Sequence, residues 1–218
     1  MTEIIIMQPW VALKNIVCEK CMVYADFLKF PAELRRKSIH LGCSLLPLLY
    51  HFYLNREQII LLSGMISIVF LSAEFLRFRF SRIQKLFSGI FKTLLRDSER
   101  EKNLTGATYL FLSATITFIL FEKNIAVPSV LVLTVADSFA AIVGKMTNSI
   151  KFFGKTLAGT LTFFISGTVV LWLFFAGPGF LLFIVMIPVT LLEAAVVKIN
   201  DNIVIPLSTG LMLYLVTG

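Results

Sequence analysis

The sequence has few charged residues, and this shortage narrows the class of protein. Only 15% of the 218 residues are charged, whereas 57% are hydrophobic and the mean hydropathy is +0.87. A soluble domain of this length needs more polar side chains to cover its surface. The composition is therefore typical of a polytopic membrane protein, and the length suits one helical bundle with short loops, not two domains.

Cysteine is also scarce, with three in the chain. Cys18 and Cys21 form one C-x-x-C pair that has no second pair and no histidine nearby, so a metal or redox centre is the weaker interpretation. Cys43 lies in an apolar run and is expected to pack in the core. The first residues, MTEIIIMQPW, lack a basic start and a small-residue cleavage site, so we expect no cleaved signal peptide.

Apolar runs predict seven membrane spans, some of them short against the roughly 20 residues that a span needs. The predicted spans cover residues 39–54, 58–76, 104–121, 125–146, 157–176, 180–197 and 203–217. Before them, residues 10–34 mix apolar and charged side chains at helical spacing, which indicates a helix lying in the membrane interface and ended by Pro31. We therefore predict an all-α protein with an N-terminal amphipathic interfacial segment (1–34) and a seven-span membrane domain (35–218).

The distribution of Lys and Arg predicts the orientation of this bundle. Of the 20 basic residues, 18 fall on one side of the predicted membrane, and the other side has only Arg56 and Lys123. The positive-inside rule then places the N-terminus in the cytoplasm and the C-terminus outside. The net charge of +7 is explained by topology, so we expect no nucleic-acid partner. The sequence has no convincing internal repeat, which weakens a transporter built from inverted halves.

The unusual polar residues also gather on the predicted cytoplasmic side, and several have a purely structural alternative. The basic residues between 77 and 102 are more simply explained as topology signals attracted to anionic lipid. Glu74 and Arg77 share a helix face and could be a structural ion pair. His40 alone is more often a packing residue than a catalyst. The glycines at 106, 144, 159 and 167 could simply allow helices to approach closely.

Asp137 is different, because an ionised carboxylate near the centre of a span costs about 2.5–3.5 kcal/mol on insertion scales and marks a functional site by default. Ala140, Ala141 and Gly144 follow it at three, four and seven residues, so the carboxylate has a stripe of small residues beside it. Such a groove admits either a neighbouring helix or a phosphate chain with its metal.

The segment GKTLAG at 154–159 supplies features that suit phosphate. Lys155 offers a point charge, and Thr156 is placed to cap the next helix, whose N-terminus favours anions. Two carboxylates, Asp137 and Asp201, together with two lysines and a helix N-terminus are what a Mg²⁺–nucleoside triphosphate needs. The stretch SIKFFGKT at 149–156 is close to a P-loop, but it has Ser149 for the first glycine and follows a membrane helix, so we reject that fold.

Six short motifs occur in register along matching spans: RKSIH at 36–40, E-x-x-R at 74–77, GATY at 106–109, AD-x-x-A-A-x-x-G-K at 136–145, GKTLAGT at 154–160, and E…DNIVIPL from Glu193 to Leu207. Over about residues 35–215 the sequence thereby resembles the CTP-dependent lipid-alcohol kinases, which include dolichol kinase, phytol and farnesol kinase and yeast-type diacylglycerol kinase. It departs from their pattern at Ala158, where a glutamate is expected.

The resemblance implies a membrane enzyme that transfers the γ-phosphate of CTP to the hydroxyl of a lipid alcohol. An isoprenoid such as phytol, farnesol or a polyprenol is the expected alcohol, ahead of diacylglycerol. The predicted ligands of Mg²⁺ or another divalent cation are Asp137, Asp201 and Glu193. Asp137 and Lys155 are predicted to be catalytic, and either His40 or Glu74 accepts the hydroxyl proton. The residues expected to contact the nucleotide are Arg36, Lys37, Arg77, Gly144, Lys145, Gly154, Thr156, Gly159 and Asn202.

Two other functions stay open from the sequence. Phosphatidate cytidylyltransferases are similar over residues 137–160, although their C-terminal Lys-Asp pair and His-Gly-Gly are absent. A small transporter could use Asp137 as an ion site, although the outer loops have almost no polar residues to serve it. We expect a bacterial inner membrane, with the endoplasmic reticulum or a plastid envelope as alternatives. The expected partners are CTP, a lipid alcohol and membrane lipids, and a homodimer is left open.

Overall fold

The structure of the protein, a computed structural model, describes residues 32–91, 94–95, 103–147, 149–152, 155–195 and 200–217. The predicted interfacial segment lies outside the described residues except for 32–34, and Cys18, Cys21 and Gly154 also lie outside them.

The described residues form a bundle of helices with one small strand pair. In chain order the elements are α1 (32–42), α2 (Leu45–Phe52), α3 (Arg56–Arg79), α4 (Ser81–Ile90), α5 (Gly106–Leu120), α6 (Lys123–Leu131), a π-helical segment (Val132–Ala136), α7 (Asp137–Met146), β1 (Lys151–Phe152), β2 (Lys155–Thr156), α8 (Leu157–Phe174), α9 (Gly179–Ala195) and α10 (Asp201–Thr217). The strands pair antiparallel, with Lys151 opposite Thr156. The helical fold class is thus confirmed, and the strand pair occupies the predicted loop between spans four and five.

Three helices are long and apolar enough to cross a membrane: Arg56–Arg79, the continuous helix Lys123–Met146 and Leu157–Phe174. The helices Gly106–Leu120, Gly179–Ala195 and Asp201–Thr217 are apolar but shorter. Large apolar side chains cover the outside of the bundle, among them Ile68, Val69, Ile165, Trp172, Phe180 and Ile187. Such lengths and surfaces belong to an integral membrane protein. The count of seven spans and their orientation stay predictions.

The predicted first span, 39–54, is not one helix. A turn at Cys43 and Ser44 separates α1 from α2, and the backbone N–H of Ser44 donates to the carbonyl of Leu41 over 3.0 Å. Pro47 explains the break, because its ring displaces the carbonyl of the residue four positions earlier, which is Cys43. Cys43 itself packs against the core, as the sequence predicted.

The most buried part of the bundle is the continuous helix formed by α6, the π-helical segment and α7. It contacts α2, α5, α8 and α10, and 78% of the residues in its most apolar stretch are buried. Pro128 lies inside α6 and leaves one carbonyl without its helical N–H donor. In a membrane bundle such a proline is tolerated because neighbouring helices and Ser or Thr side chains can satisfy the free carbonyl. The polar residue Asp137 thus begins α7 at the centre of the fold.

Side-chain caps determine where several helices begin. Asn55 and Gln58 form a reciprocal capping box at the start of α3. Thr105 caps α5 by accepting from the N–H of Thr108, and Thr156 caps α8 by accepting from the N–H of Gly159 over 3.2 Å. The predicted cap at Thr156 is therefore confirmed.

Candidate active site

Asp137 is positioned by the π-helical segment that ends at Ala136. Such segments are rare and concentrate at functional sites. The Asp137 side chain is only 8% exposed, and its Oδ2 accepts a hydrogen bond from Nζ of Lys37, 100 residues earlier in the chain on α1. The paired ammonium offsets the desolvation of the carboxylate, so Asp137 can stay ionised inside the bundle.

His40 lies one turn after Lys37 on α1 and faces three polar groups. Its Nε2 is 3.2 Å from Oδ1 of Asn202, and its Nδ1 is 3.4 Å from Oγ of Ser138 and 3.9 Å from Oδ2 of Asp137. Nδ2 of Asn202 donates to the carbonyl of Gly106 over 2.7 Å, so its oxygen must be the atom that faces His40. The contact with Asn202 therefore favours the tautomer with its proton on Nε2, in which Nδ1 is unprotonated beside Asp137.

Lys155 connects two carboxylates from different helices. Its Nζ donates to Oε1 of Glu193 on α9 and, over 3.0 Å, to Oδ2 of Asp201 at the start of α10. Burial disfavours the ammonium form, but the two carboxylates outweigh burial and raise the pKa of Lys155 above its usual value. Lys155 and Asp201 are each 30% exposed, so this ion-pair cluster has an accessible face.

The Lys37–Asp137 pair lies within electrostatic range of the cluster formed by Lys155, Glu193 and Asp201. The charge of Lys155 acts on Asp137, and the charge of Asp137 acts on Glu193. Among the described residues, three carboxylates here face two ammonium groups. Oε2 of Glu193 is also buried and has no hydrogen-bond partner among the described residues. An uncompensated negative charge and a free carboxylate oxygen fit a divalent cation.

The protein alone does not complete a metal site. Within the described ranges, no three His, Cys, Asp or Glu side chains converge as a metal-binding group. Mg²⁺, however, usually takes only one or two protein carboxylates and completes its shell with water and substrate phosphates. The hard oxygens of Glu193 and Asp201 therefore suit a cation that arrives with a nucleotide.

Asn202 connects the start of α10 to α5 and to His40 through hydrogen bonds. In addition to the bond to Gly106, its own carbonyl accepts from Oγ of Ser113 over 2.5 Å. The first turns of α5 and α10 are therefore locked together where His40 meets them. The predicted role of Asn202 in contacting nucleotide stays a prediction.

Glu74 and Arg77 form a second ion pair, on α3. Glu74 also accepts from the N–H of Thr105 over 2.8 Å and from the hydroxyl of Thr108 over 3.1 Å, while Arg77 donates to the carbonyl of Asn103 over 2.8 Å. The two side chains are only 4% and 1% exposed. This pair holds the start of α5 against α3, which is the structural alternative that the sequence left open.

Gly144 and Gly159 lie where α7 and α8 approach each other most closely. A Cβ on Gly144 would stand 2.6 Å from Oγ1 of Thr156, and one on Gly159 would stand 3.0 Å from the carbonyl oxygen of Ala140. Thr156 also donates to the carbonyl of Gly144 over 3.2 Å. The small-residue stripe after Asp137 therefore admits a neighbouring helix, the first of its two predicted uses.

Lys145 and Arg36 meet at Glu33. Both basic side chains form ion pairs with this carboxylate, and Lys145 lies 3.4 Å from its Oε2. Lys145 is 36% exposed, at the end of the bundle that holds Lys155. A part in nucleotide binding stays a prediction for both residues.

Two features of the site were missed from the sequence. Ser138 on the central helix faces His40 and donates to the carbonyl of Thr134 over 2.6 Å, and its position directly after Asp137 was the available signal. The π-helical segment has no recognisable sequence pattern, because its extra residue per turn depends on packing around Val132–Ala136.

Known proteins of similar sequence include lipid kinases. The chain is 31% identical over 209 residues to CTP-dependent diacylglycerol kinase 1 of Schizosaccharomyces pombe, which covers 84% of this chain and 93% of the yeast protein. It is 32% identical over 188 residues to an uncharacterized protein of Rickettsia prowazekii, covering 82% and 92% of the two chains. A probable chloroplastic phytol kinase of Zea mays is 30% identical over 144 residues, which is 57% of this chain and 48% of the plant protein.

No protein-family profile matches the chain, and no solved structure is significantly similar to it.

Proposed function

Because this chain belongs to the family of CTP-dependent lipid kinases, we propose that it transfers the γ-phosphate of CTP to the hydroxyl of a single-chain isoprenoid alcohol. The enzyme is an integral membrane lipid kinase. The isoprenoid substrate, the divalent cation and an active site facing the cytoplasm are the parts that we propose.

One observation carries the proposal: the accessible cluster of Lys155, Glu193 and Asp201 lies within electrostatic reach of the buried Asp137. A phosphoryl donor needs fixed positive charge and metal-binding oxygens, and this cluster offers both at an exposed face. The 30% exposure of Lys155 and Asp201 lets a phosphate ligand reach both side chains.

Lys155 binds the phosphates of CTP in this proposal. Its raised pKa keeps the ammonium charged at neutral pH, so it neutralises developing charge on the phosphoryl oxygens. Asp201 and Glu193, with Asp137 behind them, would hold Mg²⁺, which when bound supplies further positive charge to the phosphates. Lys145, at the same end of the bundle, adds charge that attracts the nucleotide.

His40 accepts the proton of the lipid hydroxyl. The hydroxyl oxygen forms a bond to the γ-phosphorus, the bond from that phosphorus to the β–γ bridging oxygen breaks, and CDP leaves with the electron pair. The hydroxyl proton passes to Nδ1 of His40, because Asn202 keeps the other ring proton on Nε2. We favour His40 over Glu74 because Glu74 is enclosed by Arg77, Thr105 and Thr108.

The test uses purified protein in detergent with Mg²⁺, γ-labelled CTP and a panel of phytol, farnesol, a polyprenol, diacylglycerol and phosphatidate. We expect label in an extracted isoprenoid phosphate together with release of CDP. The Asp201→Asn variant, prepared in parallel, controls for contaminating kinases and should lose most of the signal.

Other results would replace the proposal. Labelled pyrophosphate that appears with phosphatidate alone would make the enzyme a cytidylyltransferase. Label on diacylglycerol alone would keep the kinase but replace the isoprenoid. If a folded preparation turns over nothing on the panel, a transporter that uses Asp137 becomes the better explanation.

A further inference from the structure

A groove on the outside of the bundle leads towards His40. Its volume is about 560 Å³, and it lies between the start of α2, the central helix and α8. The walls are almost entirely apolar. The two hydroxyls of α8 that line it, on Thr162 and Ser166, donate to carbonyls of their own helix over 2.7 and 2.5 Å. Along α8 the groove therefore presents hydrocarbon.

The groove has two different ends. Along α8 it extends from Thr162 to Phe174, which is about 18 Å at 1.5 Å per residue. On the central helix, Leu131 marks the far end and Phe139 the near end. Ser44, at the near end, comes four residues after His40 in the chain.

The near end is formed by residues that are close in the chain to those of the proposed reaction centre. Phe139 directly follows Ser138, whose hydroxyl is 3.4 Å from Nδ1 of His40. His40 is 11% exposed, so a small group can reach its ring. A hydrocarbon chain lying in the groove would thus have its terminal polar group beside His40.

We propose that this groove binds the hydrocarbon chain of the lipid alcohol and delivers its hydroxyl to Nδ1 of His40. The proposal rests on the proposed function and adds where the substrate binds. Because the near end of the groove is formed by Ser44 and Phe139, which follow His40 and Ser138 closely in the chain, its occupant is the substrate chain, whereas the outer faces of α3 and α9 meet ordinary bilayer lipid. The open side lets an alcohol enter sideways from the bilayer without leaving the apolar phase.

Photolabelling tests the binding site without relying on turnover. Wild-type protein in phospholipid vesicles is irradiated with phytol that has a diazirine near the end of its chain, and the labelled residues are found by mass spectrometry. We expect label on Val169, Leu173 or Leu131, and we expect excess phytol to abolish it. Two results would show that the groove is ordinary lipid-facing surface. One is equal labelling of the outer face of α3, and the other is loss of the groove label when more phospholipid is added.

Filling the groove tests its function. Val169 is 48% exposed and lines the groove, so Val169→Trp should raise the KM for phytol about tenfold and leave the KM for CTP unchanged. Val69→Trp is the matched control, because Val69 is 65% exposed on α3 away from the groove. If both variants behave alike, the groove proposal fails.

The two proposals fail differently. Label confined to the groove in a protein that phosphorylates no alcohol would remove the kinase function and keep the binding site. Normal phosphorylation of phytol with label elsewhere, or with an unchanged KM in Val169→Trp, would remove the groove and keep the kinase. Size-exclusion profiles and thermal melts of both tryptophan variants show whether each one is folded.

Discussion

Two ion-pair clusters use similar residues and differ in what surrounds them. Glu74 and Arg77 are 4% and 1% exposed, and a backbone N–H and a hydroxyl of the α5 start both donate to Oε1 of Glu74. Lys155 and Asp201 are each 30% exposed, and their partner Glu193 has a buried oxygen without a donor in the described part of the chain. The first cluster is enclosed and its two charges balance, whereas the second is open and, among the described residues, has two carboxylates for one ammonium group.

The difference indicates that one ion-pair cluster stabilises the fold and that the other is available for binding and catalysis. A buried ion pair stabilises a fold only if its remaining hydrogen bonds are made, because each unmade bond leaves a desolvated charge. In the closed cluster each charge has an opposite charge beside it and Oε1 of Glu74 accepts two further hydrogen bonds, whereas in the open cluster two carboxylates share one ammonium group of the described residues. We therefore expect substitutions in the closed cluster to change stability, and those in or beside the open cluster to change turnover.

Asp137→Asn should have the largest effect on turnover. Removing the carboxylate next to the open cluster should lower kcat by at least about a thousandfold, since it removes charge that cannot be replaced from solvent. The variant also leaves the buried Lys37 unpaired, which alone destabilises by about 3–5 kcal/mol. Steady-state kinetics with saturating CTP and alcohol, together with a thermal melt, measure both effects.

The double variant Lys37→Met/Asp137→Asn separates these effects. Without either charge, the bundle should regain most of its stability and still lack turnover. Wild-type kcat in either variant would remove Asp137 from the mechanism.

Glu74→Gln should act on stability alone. Breaking the closed ion pair removes a carboxylate partner of the buried Arg77, and we expect the free energy of unfolding to fall by about 3 kcal/mol. The kcat of the folded fraction should stay within about twofold of wild type. Denaturation monitored by circular dichroism and turnover at low temperature check the two parts. A fall in kcat at unchanged stability would make Glu74, and not His40, the proton acceptor.

Asp201→Asn should give the opposite result. We expect kcat to fall about thirtyfold, which is close to 2 kcal/mol, and the Mg²⁺ concentration for half-maximal rate to rise, because one metal-binding oxygen loses its charge. Stability should change little, since Asp201 is partly solvated. Glu57→Gln, an exposed carboxylate at the start of α3, is the control and should change neither value. An unaltered Mg²⁺ dependence in Asp201→Asn would contradict the assignment.

Thr156→Ala should have the smallest effect. Its hydroxyl caps α8 and donates to the carbonyl of Gly144, so its loss should cost about 1 kcal/mol of stability. Thr168→Ala, in the middle of α8, is the matched control because the Thr168 hydroxyl only bonds a carbonyl of its own helix. Equal melting temperatures for the two variants would show that the cap contributes nothing special.

Much of this bundle was predictable because hydrophobicity and helix caps are local signals. The apolar runs predicted α3, the central helix and α8, and Thr156 was identified as a cap from its position before an apolar run. The importance of Asp137 also follows from local chemistry, because a carboxylate in an apolar segment needs a partner wherever it lies.

What was not predictable depends on contacts between distant parts of the chain. Nothing near Asp137 in sequence identifies Lys37 as its partner, and the two are 100 residues apart. The stripe at Ala140 and Gly144 allowed a helix or a phosphate, and only the proximity of Gly159 favours the helix. The break at Ser44 was missed because Pro47 lies in a run whose hydropathy is uniform.

The shortness of α5 has a consequence for the surrounding lipid. Its 15 residues extend about 22 Å, whereas the hydrocarbon of a bilayer is about 30 Å thick. A protein wall that is too short is accommodated by local thinning of the membrane, at a small energy per ångström of hydrophobic mismatch. The α5 start lies against Asn202, so we expect any such thinning to be centred near the proposed reaction centre. With the orientation proposed above, the headgroup boundary would then dip towards His40, and a lipid hydroxyl would meet the nucleotide without being lifted out of its leaflet.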